Sequence, residues 1–269
     1  MRSTRTLISI LTFQFLIFLS LQSQTVQKLQ LPTFAEEFGK VVAIDGDTAI
    51  IGAPGLTGIG YAYIFEQQNS SWVKTQELQA PGSSINFGAS VDISGDVAVV
   101  GDPDDEKGQV FIFHRDNNWQ LKEESLSMPG PLLDYGGKFG MDVAVHGKTV
   151  VVTLAHTPPP NPSGSGTLRY IAQVYDLDDN FNYSDYYLLF VDNDTLQSDG
   201  LNADIFNDRI VVGRPDGDLV YVWDRADWDG DHTQILTGTV GSDFGASVAI
   251  ENSLVVVGAP EAHNDSGAV

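Results

Sequence analysis

The sequence predicts an all-β chain, a β-propeller of four-stranded antiparallel blades. Three observations predict it. One phrase recurs five times, each copy reads strand, tight turn, strand, and the second strand of each copy is apolar on every side chain. Self-similarity at a spacing of 20–50 residues is the mark of a repeat architecture.

The phrase is clearest from Phe38 to Pro54 (FGKVVAIDGDTAIIGAP), Phe87 to Pro103 (FGASVDISGDVAVVGDP) and Phe244 to Pro260 (FGASVAIENSLVVVGAP). Two worn copies start at Phe139 and Asp199. In all five the first residue and the Gly-Ala-Pro position are 14 apart, and successive copies start 49, 52, 60 and 45 residues apart.

Within a copy, apolar residues at alternate positions open a strand: Val42 and Ile44, Val91 and Ile93, Val143 and Val145, Ala203 and Ile205, Val248 and Ile250. Period two is the signature of a strand. A turn such as Asp45-Gly46-Asp47 or Ser94-Gly95-Asp96 follows and marks a hairpin. Next comes an unbroken apolar run, as in Ala49-Ile50-Ile51 and Val255-Val256-Val257. Such a run needs cover on both faces, so Ile50, Val99 and Val256 are expected to be buried. Gly and Pro end it, because Pro cannot donate to a ladder.

A third strand reads GYAYIF (60–65), GQVFIF (108–113), RYIAQVY (169–175) and DLVYVW (218–223). A fourth follows at 72–78, 119–126, about 186–190 and about 233–236. No segment carries a 3.6-residue apolar stripe. Sheets apolar on both faces are stable when stacked radially, which is the propeller solution. Antiparallel order puts the 2–3 and 4–1 loops on one side and the 1–2 and 3–4 loops on the other.

Composition narrows the function. The chain has 269 residues and a formal net charge of −22, with no basic stripe. Such a surface repels nucleic acid and attracts cations. Arg2 and Arg5 precede an apolar run from Leu7 to Leu19, then polar residues. That is the layout of a signal peptide over residues 1–23, cleaved between about Ser20 and Thr25. No membrane span is expected after its removal, and export to the extracellular space or cell surface follows. With no cysteine, stability must come from core burial, and thiol chemistry is excluded.

These repeats resemble FG-GAP repeats, the blade units of the integrin α-subunit propeller, and more closely the shorter variety without a calcium loop. The likeness covers residues 26–269. Copies three and four depart from it, with Thr153-Leu154-Ala155 for Gly-Ala-Pro and Asp199-Gly200 for Phe-Gly, so those blades are expected to be distorted. Val26-Gln27-Lys28-Leu29 resembles a fourth strand that could complete the fifth blade, whose third strand is cut short at Val269. Two readings stay open: a five-bladed ring with a stub, or an incomplete seven-bladed array, since related propellers usually carry seven blades.

The resemblance implies calcium in the 1–2 loop of integrin relatives. Here that loop is a tight turn with at most two carboxylates, too few for six oxygens. A weak Ca²⁺ candidate remains at Asp102, Asp104, Asp105 and Glu106, with further acids at 176–180 and 227–231. None has EF-hand spacing, and solvated turn acids are the plainer account. The histidines at 114, 146, 156, 232 and 263 show no ligand spacing. Gly55 to Gly60 (GLTGIG) joins two strands rather than opening a helix, which argues against a phosphate cradle. A stiff loop, His156 to Pro162, could reach toward a ligand or be a tolerated insertion. Asn69, Asn182, Asn193 and Asn264 open glycosylation sequons.

No cofactor and no catalytic motif is expected. The resemblance implies a non-catalytic binding or adhesion module for an extracellular protein or glycan, its ligand-binding residues unassigned. A second reading is a carbohydrate-active enzyme, a glycoside hydrolase or lyase. It would use carboxylates such as Asp92 and Asp204, which share an offset on first strands where Ala43, Ala144 and Ala249 stand in the other copies. A third is the propeller part of a larger surface protein.

Overall fold

A computed structural model describes residues 26–31, 36–82, 84–103, 108–126, 137–156, 169–191, 200–228, 231–262 and 266–269. The chain divides into two units, Met1–Gln30 and Leu31–Val269. The predicted leader lies outside the described residues. Among those described, no helix is long and apolar enough to cross a membrane.

The second unit is a row of antiparallel sheets. Blade 1 comprises β1 (Val41–Asp45), β2 (Thr48–Ala53), β3 (Tyr61–Gln68) and β4 (Ser71–Leu78). Blade 2 comprises β5 (Ser90–Ser94), β6 (Val97–Asp102), β7 (Gln109–Arg115) and β8 (Trp119–Leu126). Blade 3 holds β9 (Gly137–His146), β10 (Thr149–His156), β11 (Arg169–Leu177) and β12 (Tyr183–Phe190). Blade 4 holds β13 (Asn202–Phe206), β14 (Arg209–Arg214), β15 (Leu219–Asp224) and β16 (Gln234–Thr237). Each has strands in simple sequence order. The fifth sheet has two strands, β17 (Ser247–Glu251) and β18 (Leu254–Gly258), plus an isolated bridge from Ala259 to Ala268.

The first strands touch in succession, β1 to β5 to β9 to β13 to β17. The sheets therefore converge at their first strands, as propeller blades do, without closing into a ring. Alternate residues of each second strand face opposite neighbours. Val97 and Val99 pack toward blade 3 with Val143, Val145 and Leu154, whereas Ala98 and Val100 pack toward blade 1 with Ile50, Ala62 and Ile64. The same division recurs between blades 3 and 4 and between 4 and 5. Burying each such side chain contributes about 1.5–3 kcal/mol, so a blade is held mainly by its neighbours.

The glycines of the phrase mark where blades meet. A Cβ on Gly52 would overlap the carbonyl of Gly88, and the same holds for Gly101 against Gly140 and Gly213 against Gly245. Gly88, Gly140 and Gly245 also have φ of +91°, +89° and +102°, a region L side chains avoid. Phe87 and Phe139 fold back on the third strands of their own blades; Phe87 meets Phe111 at 5.4 Å and Phe139 meets Tyr175 at 6.2 Å, both edge to face.

Three expectations need correction. Residues 26–31 have no regular structure, so 26–29 is not a fourth strand. A strand exists only by pairing, and among the described residues the fifth sheet has two strands. Val256 is 41% exposed, whereas Ile50 and Val99 are fully buried; Val257 faces blade 4, and its neighbour Val256 points the other way, to a side that the described residues leave uncovered. Blade 3 is distorted between its first two strands, where the register shifts between Val152 and Leu154, at Thr153; in blades 1 and 2 the shifts fall only between the third and fourth strands. The ladders of blade 4 are regular, because Gly200, at φ +121°, keeps the backbone turn without the phenylalanine.

Candidate functional site: the carboxylates between first strands

In each of blades 1 to 4 the first strand is an edge strand, so the N–H groups on its free side need partners from elsewhere. Carboxylates of the preceding blade supply them. Asp92 Oδ2 accepts the N–H of Val145 in blade 3 at 2.7 Å, while its Oδ1 accepts the N–H of Ile93 at 2.8 Å. Asp204 repeats this two junctions later, with Ile250 of blade 5 at 2.7 Å and Ile205 at 2.8 Å. Between them Ala144 occupies the offset, and Asp142, two residues earlier on the same face of β9, takes over. Its Oδ2 accepts the N–H of Ala203 at 2.9 Å.

Two further tiers flank these bonds. At the turns, Asp45 Oδ2 accepts the Gly95 N–H at 2.6 Å, Ser94 Oγ accepts that of Gly147 at 3.0 Å, and the His146 ring meets Asn207 Oδ1 at 3.0 Å. At the opposite end of the strands, Ser90 donates to the Gly140 carbonyl at 3.0 Å and Thr153 to that of Leu201 at 3.2 Å. Each bond runs from a side chain of one blade toward the next.

The carboxylates are costly where they sit. Burial pushes Asp92 up to about 7; backbone N–H groups of Val145 and Ile93 oppose it, and the charges of Asp204 and Asp142 add to it. Burial likewise raises Asp142 to about 6, against its bonds to Ala203 and Val143 and with the help of Asp204. Asp204 is raised by burial, with its backbone bonds and His146 working the other way. Desolvation and mutual repulsion thus exceed the favourable hydrogen bonds. Asp92 and Asp204 were visible in the sequence through their common offset. Asp142 was not, because it stands at a different one; only the register shows that it faces the same way.

The other predicted residues are dispersed. Asp102 is enclosed at the end of β6, while Asp104, Asp105 and Glu106 lie outside the described residues. The acids at 176–180 serve the protein itself: Asp176 holds Thr149 and Arg225, Asp178 Oδ1 accepts the N–H of Asn180 and Asn182, and Asp179 pairs with Lys148. In the 227–231 group, Asp227 accepts from the Thr233 hydroxyl. Among the described residues, no group of three or more His, Asp or Glu side chains is placed to hold a metal. His114 stacks on Phe181 at 3.8 Å and His232 lies edge-on to Tyr221. Asn69 sits in an exposed left-handed turn and Asn182 is exposed; Asn193, Asn264, His263 and the loop from 157 to 168 are outside the described residues.

The GLTGIG loop does cradle an anion, and the anion is the chain's own. The Glu36 carboxylate accepts the N–H of Leu56 at 2.6 Å, the N–H of Thr57 at 2.8 Å and the Thr57 hydroxyl at 2.8 Å. On the same side, Gly55 and Gly60 donate to Ile85 and Ser84 of the following 4–1 loop. Asp218 ties the blade 4 loop to Gly241, Ser242 and Phe244. The 2–3 and 4–1 loops therefore share one face and lock each other.

The FG-GAP repeat family model matches residues 34–65 and 72–113, the first blade and most of the second. FG-GAP repeats thus make up the first two blades. Beyond the match, blades 3 and 4 keep the four-strand order, and Gly213 of blade 4 meets Gly245 as Gly52 meets Gly88. No curated protein is significantly similar to it. Among solved structures, the periplasmic gluconolactonase of Pseudomonas aeruginosa matches with a TM-score of 0.42 at 12% identity, over 84% of this chain and 82% of its own. The hydrazine synthase of Kuenenia stuttgartiensis matches with a TM-score of 0.48 at 13% identity, over 77% of this chain and 64% of its own. Likenesses this distant say nothing of activity.

Proposed function

We propose that this protein is a non-catalytic binding module, secreted or displayed at the cell surface, that recognises an extracellular protein or glycan through the face carrying its 2–3 and 4–1 loops. One observation carries the reading. The carboxylates that draw together among the described residues are committed to backbone N–H groups of the next blade, which is structural work. The loop face, in contrast, is fixed by hydrogen bonds between loops, and loops held in place bind with less ordering cost. Protein and glycan arrays probed with the purified chain test this. Binding that is lost when residues 54–60 and 79–86 are replaced by a plain Gly-Ser linker supports it. Binding that survives replacement of every loop on that face contradicts it.

The enzyme reading keeps one supporting observation. A carboxyl group raised to about 7, as Asp92 is, is in the range a general acid needs near neutrality. Turnover of a polysaccharide panel that disappears in Asp92→Asn, with binding intact, would favour it over the binding module.

A further inference from the structure

Asp92, Asp142 and Asp204 each bridge two blades, and each lies within range of another's charge. The titratable groups on the converging first strands, besides these three, are Asp45, Lys138, His146 and Glu251. Of these, His146 acts on Asp204. On the adjoining second strands, Arg209 is engaged by Asp224, Arg214 by Asp216, and Asp102 closes β6. Thus no cation is among the causes that set Asp92 or Asp142.

We propose that the three aspartates form a proton-sensitive latch, which holds blades 2 to 5 most firmly when protons have been taken up and loosens them as the last carboxyl group ionises. The opposing effects can be ranked. An ionised carboxylate is the better acceptor for the two backbone donors. Yet it must sit desolvated beside like charges, and that cost is the larger here. The folded state therefore binds protons more tightly than the unfolded chain. Its added stability is complete below the ordinary aspartate value of 3.8 and is lost as pH rises through about 6 for Asp142 and about 7 for Asp92. Each retained proton changes the folding equilibrium by roughly tenfold per pH unit across that window. The consequence is a blade array that tightens in mildly acidic surroundings and gains play at neutrality and above.

The test is a carboxyl-carbon NMR titration of the intact chain, labelled at aspartate, from pH 3 to 9. The latch requires Asp92 and Asp142 to titrate well above the other aspartates, and Asp204→Asn to move the Asp92 midpoint down, since a like charge is removed. Midpoints near 4 for all three, or an Asp92 midpoint that ignores Asp204→Asn, would overturn it. Urea unfolding of the wild type at pH 5 and pH 8 is the second measurement. Greater stability at pH 5, with the difference reduced in Asp92→Asn or Asp142→Asn, supports the latch; equal stability at the two pH values contradicts it. The wild-type titration stands even if a variant does not fold.

Discussion

The carboxylate of Asp92 and the backbone N–H of Val145 lie 53 residues apart in the chain and 2.7 Å apart in space. They join the exposed edge of one sheet to a side chain of the sheet before it. Repeated by Asp142 and Asp204, this contact turns a row of stacked sheets into a directional array. Hydrophobic packing presses the blades together; the carboxylates fix how far one slides along the next.

The phrase glycines should be intolerant where backbones meet and tolerant where they do not. Gly52→Ala sets a methyl group against the Gly88 carbonyl, with no flexible side chain to yield. A loss of about 1–3 kcal/mol is expected. Gly46→Ala, at φ +54° with open space around it, should cost roughly 1 kcal/mol from backbone strain alone. Urea denaturation of the two variants gives the comparison.

Thr153 stands where the other copies have glycine, and its hydroxyl takes up the space. It donates to the Leu201 carbonyl at 3.2 Å and accepts the Asp142 N–H at 2.9 Å. Thr153→Val keeps the shape and removes both bonds. It should destabilise by about 1–3 kcal/mol, since both groups left behind are shielded from water. The same denaturation series reads it.

The outer strands have a clasp of their own. The Gln76 amide donates to the Trp119 carbonyl at 2.6 Å and its oxygen accepts the Trp119 N–H at 2.9 Å, as a neighbouring strand would. Gln76→Glu keeps the acceptor and loses the donor. The Trp119 fluorescence should shift, and stability should fall by about 1 kcal/mol.

Glu36 should respond to acid in the opposite sense to Asp92. Bonds from Thr57, first its N–H and then its hydroxyl, hold its carboxyl below the ordinary 4.5. Its contribution is present above that value and is lost as pH falls through the lowered one. Amide signals of Leu56 and Thr57 should therefore move only below about pH 4.5, and in Glu36→Gln they should lose that dependence.

Much of the fold was legible because the repeat wrote it five times. Alternation in Val91 and Ile93, a turn at Ser94-Gly95-Asp96 and an unbroken run at Ala98-Val99-Val100 each specify one element locally. What stayed hidden depends on contacts between blades. Val256 reads like Val99, yet it is exposed, because burial of a blade face is decided by the next blade and not by the strand. Asp142 had no repeat partner to expose it. Glu36 and the GLTGIG loop are 20 residues apart, and neither alone shows that the loop already holds an anion.

Backbone amide exchange at Val145, Ala203 and Ile250 tests the central claim most directly. These N–H groups lie on strand edges with no strand beside them, so only the carboxylates of Asp92, Asp142 and Asp204 can protect them. Slow exchange at all three is predicted, with Val145 alone becoming fast in Asp92→Ala and Ile250 alone in Asp204→Ala. Fast exchange in the wild type, or protection indifferent to those substitutions, would contradict it.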